Sequence, residues 1–175
     1  KSPVRLDAES LRDAVLSVSG KLNLKMGGPG FRDVSVIPNN GTTYYKPIYP
    51  KGSEYDRRTV YRFSPRGERS AILDTFDCPD PSTTAPRRAV TTTPLQALAL
   101  LNNKFILDKA EDMANRIKAL SDGNRNKQIE QAFLFAFQRN PNSEEMLLAK
   151  RLIQDYGLTT LCRSLFNSNE FVIIN

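Results

Sequence analysis

From Thr93 onward, apolar residues return every three or four positions almost to the end of the chain, a period that suits helices and excludes a sheet. Thr93-Pro94-Leu95-Gln96 opens this region with a capping box and a proline at the first helical position. Ile106, Ala110, Met113, Ala114, Ile117 and Leu120 form one stripe, and Ile129, Ala132, Phe133, Ala136 and Phe137 form another. Leu134 and Phe135 make that second helix apolar nearly all round, so it is expected at the centre. Asn142 with Glu145 caps a third helix running to Gly157, and Leu158, Leu161, Cys162, Leu165 and Phe166 form the last stripe. Connections of a few residues imply antiparallel neighbours. The expected fold is mainly α: a carboxy-terminal bundle of about five helices over residues 93–175, with an amino-terminal helix and a small extended or β region in residues 1–92.

In that first half, Asp7 can cap a helix whose apolar residues Leu11, Val15 and Val18 stand at helical spacing, with Gly20 placed to end it. Nine Gly and Pro residues break up 21–56, leaving Val34 to Ile37 as one short strand. Loops this long without structure are uncommon unless they bind something or pack on a partner. Residues 58–63 alternate like a strand, and the apolar run Ala71 to Phe76 reads as its partner, a two-stranded element that must lean on helices. A length of 175 residues supports one domain. The start at Lys1, with neither an initiator Met nor a signal-peptide core, leads us to expect a piece of a longer protein. No stretch approaches the roughly 20 apolar residues of a membrane span.

The chain has no histidine, which removes Ser-His-Asp and Cys-His catalysis, His-zinc motifs and haem attachment at Cys-x-x-Cys-His. Two cysteines, Cys78 and Cys162, are too few for a disulfide framework. The net charge of +6 is uneven: residues 1–90 hold 15 basic and 10 acidic side chains, against 10 and 9 in the rest. Arg57, Arg58, Arg62, Arg66 and Arg69 surround Tyr61 and Phe63, a mixture suited to phosphate contacts and base stacking, or to a strand face with buried Arg ion pairs. Tyr44, Tyr45, Tyr49 and Tyr55 offer either a platform for a sugar ring or partner, or anchors for the long loop. The candidate binding surface is therefore Tyr44, Tyr45, Tyr49, Tyr55, Arg58, Tyr61 and Arg62. Asp74, Asp77 and Asp80 lack the spacing of a calcium loop and suit turns and caps. Gly27-Gly28-Pro29-Gly30 has no Lys-Ser/Thr after it and is not a phosphate loop. No catalytic residue, metal ligand or cofactor site is assigned.

The stretches "LRDAVLSVSGKLN", "MGGPG", "LDTFDCPDP", "PRRAVTTTPLQALALLNN" and "LCRSLFNSNEF" together resemble the carboxy-terminal planctomycete domain of unknown function that accompanies planctomycete cytochrome c domains. The resemblance spans most of residues 5–173. It implies large exported bacterial proteins, often with an amino-terminal haem domain, of which this chain is the tail. It carries no catalytic residues. The family commonly has a Cys before the Pro-Arg-Arg stretch, where this chain has Ala85. The expected function is a non-catalytic interaction or structural module of an exported or periplasmic multidomain protein. Its partners are other domains of the parent, a haem-bearing domain among them, or a protein or glycan. The alternatives are part of an enzyme acting on glycans or their esters, and nucleic-acid binding through the Arg-aromatic strand.

Overall fold

The structure is a computed structural model that describes residues 3–68 and 70–174. In chain order the elements are β1 (Val4–Arg5), α1 (Ala8–Val18), β2 (Val34–Asn39), β3 (Thr42–Pro47), a single 3₁₀ turn (Thr59–Tyr61), α2 (Ala71–Thr75), α3 (Pro94–Asn102), α4 (Lys104–Leu120), α5 (Arg125–Phe137), α6 (Ser143–Tyr156), α7 (Leu158–Phe166), α8 (Asn169–Val172) and β4 (Ile173–Ile174). The fold is mainly α. Each cap read from the sequence is made: Asp7 accepts from the Ser10 N–H, and both Thr93/Gln96 and Asn142/Glu145 close reciprocal capping boxes.

The core is centred on α4 and α7. Ile106, Ala110, Met113, Ala114 and Ile117 are completely buried, and α4 packs on α1, α3, α5 and α7. This corrects the expectation that the helix around Phe133 is central. Ile129, Ala132 and Phe133 of α5 are buried, but Leu134 is 36% exposed, and Phe135 lies under the Arg116 guanidinium at 3.9 Å. An apolar residue on the outer side of a helix can be covered by an arginine as well as by another helix. Leu120, at the last turn of α4, is exposed. The same core takes Leu11 and Val15 from α1 and Ile72, Leu73 and Phe76 from α2. β1 pairs antiparallel with β4, tying Arg5 to Ile173.

Two further expectations fail. Residues 58–63 do not form a strand; they curl into the 3₁₀ turn because Asp13 of α1 accepts from both the Thr59 N–H (2.7 Å) and its hydroxyl (2.6 Å), pulling the backbone inward. Ala71 to Thr75 is helix α2, started by Ser70, whose hydroxyl accepts from the Leu73 N–H. The true hairpin lies earlier. β2 and β3 pair from Val34↔Pro47 to Asn39↔Thr42, and Asn40 (φ 43°) and Gly41 (φ 82°) make the turn. Two successive positive φ values are those of a type I′ turn, which favours Asn-Gly.

Candidate functional site

Three arginines hold the irregular segment in place. Arg12 stands on the buried face of α1, one turn before Val15 and Leu16, and its guanidinium donates to the carbonyls of Arg57 and Tyr55, both at 2.9 Å. It also lies between the rings of Phe31 (5.1 Å) and Phe105 (5.3 Å). Burial lowers its pKa, against the raising effect of Asp33 and Asp13, from a value so high that the charge remains. Arg57 donates to the carbonyls of Pro29, Lys25 and Gly27 and stacks on Tyr61 at 3.9 Å. The glycine loop therefore turns its carbonyls toward a cation, the reverse of a phosphate cradle. Gly30 is required there: a Cβ would stand 2.5 Å from the Tyr61 carbonyl oxygen.

Arg62 bridges Asp33 (2.8 Å) and Glu68 (2.9 Å) with only 4% of its side chain exposed. Burial works to lower its pKa, but the hydrogen bonds to Glu68 and Asp33 prevail and raise it.

Arg12, Arg62, Asp33 and Glu68 form one wall of a cavity of about 520 Å³ between the segment, α1 and α4, and Arg57 lies outside it. Phe31 and Tyr55, in edge-to-face contact at 6.5 Å, and Phe105 supply apolar panels. On the α4 side, Lys109 pairs with Asp56 and Asp112, each at 3.0 Å. The segment's own limbs are joined by the Asn23 N–H to the Asp56 carbonyl (2.9 Å) and the Phe31 N–H to the Tyr61 carbonyl (2.9 Å).

The expected binding surface is not one surface. Tyr49, Tyr55 and Arg62 line the cavity. Tyr44 and Tyr45 lie on the hairpin, and Tyr61 is held beneath Arg57, its phenol oxygen accepting from the Gly27 N–H. Arg58 is exposed and pairs with Asp13 at 3.5 Å. Arg69 lies outside the described residues. Arg12, Asp33, Asp56, Lys109 and Phe31 were missed by sequence reading; the signal for Arg12 is a charge within the apolar stripe of α1.

The aspartate cluster is structural where its partners are visible. Asp77 accepts from Arg5 (2.6 Å) and from the N–H and hydroxyl of Thr91, and Asp80 accepts from the Ser82 N–H. Among the described residues, no group of three or more Cys, Asp or Glu side chains is placed to hold a metal ion. Burial and the nearby Glu9 carboxylate push the Cys78 thiol up to about 11, and burial pushes Cys162 to about 12, so neither is a ready nucleophile.

No curated protein and no solved structure matches the chain. A family model does, over residues 1–153, and it is described as PSD1, a protein of unknown function (DUF1553). That match covers most of the chain, including every wall of the cavity and the whole hairpin, and the chain belongs to the PSD1 (DUF1553) family.

Proposed function

We propose that this chain is a non-catalytic interaction module at the tail of an exported multidomain bacterial protein, and that its hairpin docks on another domain of the parent. One observation carries this reading. Val36, Ile37 and Tyr44 of the hairpin are 46%, 44% and 55% exposed, and the cross-strand pairs Val36↔Tyr45 and Ile37↔Tyr44 put apolar side chains on both faces. A two-stranded ribbon is marginal alone in water, and one with apolar faces and open edges is stabilised by being covered. The planctomycete resemblance supplies the rest: a periplasmic or otherwise exported parent, a haem-bearing cytochrome c domain as the docking partner, and no cofactor in this tail.

The arginine run supports a protein partner over nucleic acid. Two of the five arginines expected to grip phosphates, Arg57 and Arg62, bond instead to carbonyls and carboxylates of this chain.

Amide hydrogen exchange on the isolated 175 residues and on the full parent tests the docking. Val34–Pro47 should exchange quickly in isolation and become protected in the parent. Equal exchange in both sinks the reading. A parent without a signal peptide or a Cys-x-x-Cys-His site removes the export and haem components separately.

A further inference from the structure

We infer that the cavity between α1, α4 and the irregular segment is a binding site for an uncharged, hydroxyl-rich ring compound of monosaccharide size. This is independent of the hairpin, which does not reach the cavity except through Pro47 at its foot. At about 520 Å³ the space falls in the range of small-molecule sites.

The charge of the wall decides the ligand class. Five cationic and six anionic side chains line the cavity, and the central ones are already paired: Arg62 with Asp33 and Glu68, Lys109 with Asp56 and Asp112. Such a wall has almost no net field to attract an anion, and its inner cations oppose a second cation. What it offers is donors and acceptors in alternation, which is what a hydroxyl, donor and acceptor at once, can use. One acceptor is in surplus. The Oδ2 of Asp33 takes the Arg62 Nε–H, while its Oδ1 is buried with no hydrogen-bond partner. That oxygen is closed to the cavity space, but Asp33 lines the cavity with 27% of its side chain exposed, so a ligand O–H can meet the carboxylate on its Oδ2 edge. Phe31, Tyr55 and Phe105 give apolar panels for the C–H face of a ring, and Tyr49, half exposed, stands among the lining residues where it can close over the ligand.

The test is an NMR titration of the 175-residue chain with three rings that differ in charge: glucose, glucuronate and glucosamine. Glucose should shift the amides of residues 31–33, 55–56 and 105–109 saturably, and both charged rings should bind at least about tenfold more weakly. Asp33→Ala should weaken glucose by about tenfold or more. Tyr49→Ala, at an exposed position that leaves the core untouched, should weaken it severalfold and keeps the test alive if the first variant does not fold. Tyr156→Ala, exposed on α6 and outside the cavity, should change nothing. The inference is overturned if glucose gives no saturable shifts, if the shifts fall outside the cavity, if either charged ring binds more tightly, or if neither cavity variant weakens binding.

Discussion

At the scale of single residues, the arginines decide how the first half of the chain holds together. Arg62 is enclosed with two carboxylates, and replacing it by Leu leaves the buried Glu68 and the partly exposed Asp33 without their cation. Breaking a buried pair on one side typically costs about 3–5 kcal/mol, because the desolvated charge that remains has nothing to offset it. Arg58, with 55% of its side chain exposed, pairs with Asp13 in water, where such a contact contributes about 1 kcal/mol or less. Urea denaturation should therefore show a large loss for Arg62→Leu and a small one for Arg58→Ala. Comparable losses would mean that the two arginines share one environment. The sequence shows five arginines in thirteen positions but not which of them turn inward, since that depends on carbonyls from Lys25, Gly27 and Pro29, some thirty residues away. Arg12 is different: its place in an apolar stripe is local information.

At the scale of elements, what could be read depended on whether the determinant was local. Capping boxes and 3.6-residue stripes lie within a few residues of the helix they define, and α3, α4, α6 and α7 follow them. The alternation at 58–63 had no such anchor, and a contact from Asp13, 46 positions away, overrode it. The hairpin was half legible: Asn40-Gly41 is a turn signal, but Lys46-Pro47 obscured the second strand. The box that starts α6 also predicts a pH response. Hydrogen bonds from Arg139, helped by the Asn142 N–H, hold Glu145 down to about 2 from an ordinary 4.5, despite the opposing effect of burial. Its folded pKa is depressed, so its contribution is complete above about 4.5 and disappears as the pH falls through about 2. Subtracting the stability of Glu145→Gln from that of the unaltered chain across this range should give a difference that shrinks with acid. A difference independent of pH would refute the ionic role of Glu145. Because both side chains of the pair are partly exposed to screening water, the effect should be no more than about 1 kcal/mol.

At the scale of the whole molecule, the family match and the packed core have different limits. The match ends at residue 153, before the last turn of α6 closes, whereas the core continues through α7. Leu158, Leu161, Leu165 and Phe166 are all less than 7% exposed, and α7 packs on α3, α4, α5, α6 and α8. Burying each such side chain stabilises by roughly 1.5–3 kcal/mol, so four together are comparable with the whole stability of about 5–15 kcal/mol expected for a domain. Removing them also exposes the face of α4 on which α7 lies. A chain cut after residue 153 should therefore lose its cooperative transition, retaining helical circular dichroism from capped segments but gaining dye-accessible apolar surface. The full chain should unfold in a single step. Adding residues 154–175 as a separate peptide should restore part of the transition, because α7 carries its own apolar stripe and the helices that bury it, α3 to α6, lie almost wholly within the fragment. A cooperative transition of unchanged midpoint in the 1–153 fragment would show that α7 is an appendage and that the core lies elsewhere.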